Sequence, residues 1–230
     1  MGNKRMQGKV GSAPAQAKKA KAPEPESIGS YLWMPVLCII LAFIVYIPVF
    51  KAGFVNWDDD DYVVKNYAIT SFKNISDIVS KPVQGNYHPL TMLSLAFNYA
   101  VSGESPRSYH VVNLILHLLN VLLVFLFVRR LTGYKPWMAF VTALLFAVHP
   151  LHVESVAWVS ERKDVLYSFF FLAGLHIYKV YPERKDRQLS CRVGAVYSFA
   201  ALETCGCYFS NRFTGHRFLF REVENGPDLD

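Results

Sequence analysis

The feature that most constrains this chain is the run "YLWMPVLCIILAFIVYIPVF" at 31–50, which carries no charged residue. At about 1.5 Å of rise per residue, a helix of that length matches a hydrocarbon layer ~30 Å thick. A secretory leader would have a shorter apolar core ending in small residues, whereas this run leaves through "VYIPVFKAG" with no good cleavage site. The run is therefore read as a membrane anchor. A chain that is 52% hydrophobic and 15% aromatic agrees with that reading.

Further apolar segments follow at 110–128 ("HVVNLILHLLNVLLVFLFV"), 137–149 and 165–179, so the expected fold class is all-α, a polytopic bundle of about four transmembrane helices. The net charge of +6 is uneven. Lys4, Arg5, Lys9, Lys18, Lys19 and Lys21 make 1–30 a basic, Ala/Pro/Gly-rich stretch without apolar periodicity, expected to be a disordered tail. Lys and Arg collect on the cytoplasmic side of a membrane. The basic tail, the Arg129/Arg130/Lys135 turn and the Lys179 to Arg187 segment alternate correctly if the N-terminus is cytoplasmic. The loop 51–109 and the connection "HPLHVESVAWVSERKD" then both lie on the outer face. The four cysteines, Cys38, Cys191, Cys205 and Cys207, have no zinc-site or disulfide-framework spacing.

The outer loop opens with Asp58, Asp59, Asp60 and Asp61 in series. Adjacent carboxylates repel one another unless a cation, a proton or a polar substrate sits among them. The cluster is either a general base or metal ligand at the mouth of a membrane cavity, or a solvated acidic turn. In the second span His110, Asn113 and His117 fall at i, i+3 and i+7, on one helical stripe. Polar groups there face the protein interior, where they either shape a cavity or hydrogen-bond neighbouring helices. The outer connection gathers His149, His152, Glu154, Glu161, Arg162, Lys163 and Asp164. Basic residues on the disfavoured outer side suit an anionic ligand such as a lipid phosphate.

"FVNWDDDDYV", "NYHPLTMLSLAFNYAVSG", "SYHVVNLILHLLNVLLVFLFVRRLTG" and "FAVHPLHVESVAWVSERKDVL" together resemble the membrane domain of the transmembrane and tetratricopeptide-repeat proteins. That family is similar to the protein O-mannosyltransferases, of the polytopic GT-C glycosyltransferase type. The resemblance implies that 31–189 is a fragment of a GT-C-like membrane domain. It further implies that a sugar, mannose in this family, moves from a polyprenyl-phosphate donor to a protein or other polar acceptor at the outer face. Asp58 and Asp59 match the family's acidic pair, as catalytic residues or as ligands to a divalent metal if one is used. Arg162 and Lys163 are expected beside the donor phosphate, with His88, His110, Asn113, His117, His149, His152 and Glu154 lining the cavity. Membrane lipid, the lipid-linked donor and a protein acceptor are the partners expected; nucleic acid is not.

The chain departs from the family after about Ser190, where sustained apolar runs stop and neither further spans nor ~34-residue repeats appear. Synonymous codons for Glu203 through Asp230, read one nucleotide later, permit an apolar peptide with the Lys-Pro, Thr, Pro and Asp order that the family shows next. The segment 190–230 is thus expected to be frameshifted or disordered, and this truncated chain inactive by itself. A transporter is the competing reading, because intramembrane His and Asn with outer carboxylates also suit an ion pathway. A non-catalytic membrane anchor of a repeat-containing interaction protein is another.

Overall fold

The computed structural model describes residues 30–180, with side chains described through 177. The expectations for the N-terminal tail and for 190–230 lie outside the described residues. Within them the chain is helical, with no strand and a single isolated bridge, Val83 to Asn86, that closes a tight turn. Gln84 and Gly85 both take positive φ in that turn, as a two-residue hairpin loop requires.

Seven α-helices run in order: α1 Trp33–Tyr46, α2 Ile75–Ser80, α3 Pro89–Ser102, α4 Pro106–Leu131, α5 Pro136–Val148, α6 His152–Ala157 and α7 Arg162–Val180. Their ends follow from local chemistry. Pro48 tightens the end of the first apolar run into a 3-10 turn, Ile47–Lys51. Helices α3, α4 and α5 each begin on a proline, whose missing N–H costs nothing at a helix start. Helix α4 ends with Arg129 and Arg130 in its last turn, favourable at the negative end of the dipole. Gly133 then adopts φ +68, and the Tyr134 N–H reaches back to the Arg129 carbonyl at 2.7 Å, a Schellman closure. Helix α5 stops because His149 precedes Pro150, which pushes its backbone to extended geometry.

Helix α4 is the central pillar, packed against α1, α5 and α7. Ala139, Ala143 and Ala147 of α5 are buried beside Cys38 and Ala42 of α1, and small side chains at these points let the backbones approach. Above this bundle the loop 51–109 builds a core from Tyr62, Val63, Ile69, Ile78, Met92, Leu95, Ala96 and Tyr109, joined by Val159 from the connection before α7. The loop is therefore a folded cap with two helices, α2 and α3, where the sequence suggested only a connection.

The described residues contain two helical segments long and apolar enough to cross a membrane, Trp33–Lys51 and Pro106–Leu131. Helix α5 is apolar but only 13 residues long. At about 1.5 Å per residue it falls well short of a ~30 Å layer. Arg162, Lys163 and Asp164 begin α7.

Candidate functional site

The four aspartates lead into a wide helical turn, Asp60–Val64, whose Tyr62 and Val63 are buried in the cap core. Anchoring those two side chains gives each carboxylate a different environment. Asp59 is 0% exposed; its Oδ2 accepts from the Val55 N–H at 2.9 Å and its Oδ1 from the Ser160 N–H at 2.8 Å. Asp60 pairs with Lys65 at 2.7 Å, and Asp61 accepts from the Gln84 amide. Asp58 is half-buried. It stands close enough to Tyr62 that its charge, with that of Glu161, acts on the phenol. Burial is the main cause that pushes the Tyr62 hydroxyl up, and the Lys163 ammonium works the other way. The repulsion expected from the sequence is relieved because Asp59, Asp60 and Asp61 have separate partners.

Lys163 and Glu161 form an ion pair at 2.8 Å, their side chains 22% and 14% exposed. The charges of Asp58, Glu161 and Lys163 thus all act on Tyr62, between the start of the cap and the start of α7. Arg162 behaves differently: it is 0% exposed, and every guanidinium nitrogen is engaged. Nε donates to Asn113 Oδ1 at 2.8 Å, Nη1 to the Ser94 carbonyl and hydroxyl at 3.3 and 3.2 Å, and Nη2 to Asn98 Oδ1 and the Tyr109 carbonyl at 2.9 and 3.0 Å.

The polar stripe of α4 reaches four backbone carbonyls. His110 Nε2 lies 3.3 Å from the Gly53 oxygen and His117 Nε2 lies 3.1 Å from that of Ala147. A carbonyl only accepts, so Nε2 carries the proton in each contact. Asn113 Nδ2 donates to Trp158 at 3.1 Å and Asn120 Nδ2 to Val165 at 2.9 Å. The acceptors belong to the segment after α1, the end of α5, the end of α6 and the first turns of α7. Interrupted backbone at membrane depth must find donors within the protein, and this stripe supplies them. Of the two readings of the stripe, the hydrogen-bonded one describes these contacts.

The remaining expected cavity residues separate. His88 is buried at the start of α3. The His117 ring packs against Tyr46, Phe146 and His152, and His149 lies 6.0 Å from His152, centroid to centroid. Glu154 is exposed. The described residues contain no group of three or more His, Cys, Asp or Glu arranged to hold a metal ion. A mostly apolar cleft of about 410 Å³ between α3 and α4, lined by Phe97, Val101, Val111 and Val112 among others, includes none of the acidic residues. The sequence reading missed Asn120, Ser94, Asn98 and Ser160. Asn120 extends the stripe by another three residues and could have been read from that spacing.

A family model described as dolichyl-phosphate-mannose-protein mannosyltransferase matches residues 81–203, more than half of the chain. The chain belongs to that family. It is similar to the protein O-mannosyl-transferase Tmtc1 of Drosophila melanogaster, 35% identical over 138 residues, which cover 56% of this chain and 16% of the relative. It is also similar to protein O-mannosyl-transferase TMTC2 of Mus musculus, 43% identical over 93 residues, with 40% and 11% covered. For protein O-mannosyl-transferase TMTC4 of Homo sapiens the figures are 31% over 171 residues, with 64% and 23% covered. The chain spans between about a tenth and a quarter of the length of such relatives. No solved structure matches. Family membership and the two apolar helices agree with a membrane segment of an O-mannosyltransferase-like protein.

Proposed function

We propose that this chain carries the acceptor-activating site of a membrane mannosyltransferase that moves mannose from a polyprenyl-phosphate donor to a hydroxyl of a protein or other polar acceptor. The observation that supports this reading is the grouping of Asp58, Tyr62, Glu161 and Lys163, with Asp59 held beside it by two backbone amides. Asp58 takes the acceptor's hydroxyl proton. The hydroxyl oxygen then attacks the anomeric carbon as its bond to the phosphate oxygen breaks, and the departing phosphate carries its negative charge toward Lys163. Asp59 has both oxygens occupied and serves to hold the loop. Arg162 is enclosed among neutral acceptors, so the phosphate contact is given to Lys163.

The site faces outward under a topology with a cytoplasmic N-terminus, and α5 and α7 join the two longer helices in the membrane. The family match runs through residue 203, beyond the Ser190 boundary expected from the sequence, so the change of reading frame is placed after residue 203, and the 230-residue chain alone is inactive. Resequencing the gene through codon 190 and past the stop tests the tail. Membranes carrying the frame-corrected protein are then offered mannose on a polyprenyl phosphate or on a nucleotide. Transfer from the lipid donor alone supports the function, and transfer from neither or only from the nucleotide sugar overturns it.

A further inference from the structure

Arg162 poses a question that the transfer reaction does not answer. It is the largest of the fully buried side chains, its ion-pair range holds no carboxylate among the described contacts, and its acceptors are all neutral. The Tyr109 ring, 5.5 Å from the guanidinium carbon, adds a cation–π contact. Burying a cation without a counter-ion is costly, so the arrangement calls for a role that a neutral residue cannot fill. The planar fork offers five donors in fixed directions. Here they join α3, through Ser94 and Asn98, to α4, through Tyr109 and Asn113.

The consequence for the site lies two residues earlier. Ser160 is fully buried and its N–H donates to Asp59 Oδ1, while Asn113, which accepts from Arg162, donates to the Trp158 carbonyl. The segment 158–162 is therefore pinned on both sides of the amide that holds Asp59. Asp59 in turn fixes the neighbouring Asp58, and Lys163 follows Arg162 directly.

We infer that Arg162 is a positioning residue: its guanidinium, saturated by α3 and α4, fixes the Ser160 N–H that clips Asp59 and so sets Asp58 against Lys163. This rests on the proposed transfer site, and it separates the two adjacent cations into one that builds the site and one that meets the donor phosphate. A phosphate could reach Arg162 only by displacing one of its present acceptors, of which Asn113 and Tyr109 are fully buried, Asn98 nearly so and Ser94 half-buried.

The test uses the full 230-residue chain in lipid nanodiscs, with Arg162→Gln, Arg162→Lys, Asn98→Ala and Lys163→Gln. Two quantities are read: hydrogen exchange at the Ser160 amide, with α1 amides as the internal reference, and affinity for a short polyprenyl monophosphate. Both Arg162 variants and Asn98→Ala are expected to speed Ser160 exchange at least about tenfold without a comparable change in α1. Lysine should not rescue, because it keeps the charge and lacks the fork. Lys163→Gln should weaken phosphate binding about tenfold and leave Ser160 exchange unchanged. Any affinity lost at Arg162 should be matched by Asn98→Ala, in which the arginine is intact. The inference is overturned if Arg162→Gln leaves Ser160 exchange unaltered, or if it loses tenfold more affinity than Asn98→Ala while Arg162→Lys retains binding. If Arg162→Gln does not fold, Arg162→Lys and Asn98→Ala decide on the exchange reading. If neither the wild-type chain nor its frame-corrected form binds the phosphate probe, the transfer-site reading fails, and the exchange measurements still decide whether Arg162 fixes Ser160.

Discussion

Replacing Asp59 by alanine should unfold the cap more easily, in an amount that follows from its two hydrogen bonds. The carboxylate accepts from the Val55 N–H at 2.9 Å and from the Ser160 N–H at 2.8 Å, and it is wholly buried. Truncation removes both acceptors: it strands the buried Ser160 N–H, at about 1–3 kcal/mol, and removes the hydrogen bond of the more exposed Val55 N–H, at about 0.5–1.5 kcal/mol. The sum is about 1.5–4.5 kcal/mol. A domain of this size loses roughly 2–4 °C of midpoint per kcal/mol, so a mid-range 3 kcal/mol corresponds to a fall of about 6–12 °C. Asp59→Asn should lose about half as much, because one amide oxygen still accepts while the amide nitrogen opposes the second N–H. The assay is thermal unfolding in nanodiscs, with hydrogen exchange at Val55 and Ser160. An alanine variant within 1–2 °C of wild type, with both amides as protected as before, would refute the assignment of Asp59 as a buried clip.

Other outcomes follow from the same contacts. Asn120→Leu keeps the side chain's volume but deprives the Val165 carbonyl of its donor, so stability should fall by about 1–2 kcal/mol, read by thermal unfolding. Burial first, and the neighbouring His149 second, hold His152 below the ordinary histidine pKa. The unfolded chain then takes up the proton first, so stability is full above about pH 6.5 and declines as pH falls below it. The decline should shrink in His152→Gln, with Glu154 and His149 unchanged, and an identical pH profile would count against it. A cysteine placed at Asp77 should react with an impermeant maleimide applied from outside; labelling only after the cytoplasmic face is opened would reverse the topology.

What could be read from the sequence and what could not depended on the range of the interaction involved. The central helix was legible because its apolar run and the closing Arg129/Arg130 are local signals, though its start at Pro106 was not read, and the end of α5 was legible because His149-Pro150 is. Helix α3 was not, since it turns Thr91 and Asn98 inward and so breaks the pattern of apolar-in, polar-out. The roles within the acidic run were also hidden. Asp58 and Asp59 are equivalent as letters, and only the packing of Tyr62 and Val63 decides which one meets Ser160, 101 residues away. Arg162 was read as an anion's partner for the same reason: its acceptors lie 49 to 68 residues earlier in the chain. The polar stripe was visible as spacing, but its targets are backbone carbonyls, which leave no trace in composition.

The most direct test of the transfer site compares Asp58→Asn with Asp60→Asn in the frame-corrected protein, at equal expression, measuring mannose transferred from a polyprenyl-phosphate donor. Loss of a general base typically lowers a rate by about 10²–10⁴, and that loss is expected for Asp58→Asn alone. Asp60, whose carboxylate is paired with Lys65 at 2.7 Å, should be replaceable with little effect. Transfer at the wild-type rate in Asp58→Asn, or an equal loss in both variants, would contradict the account.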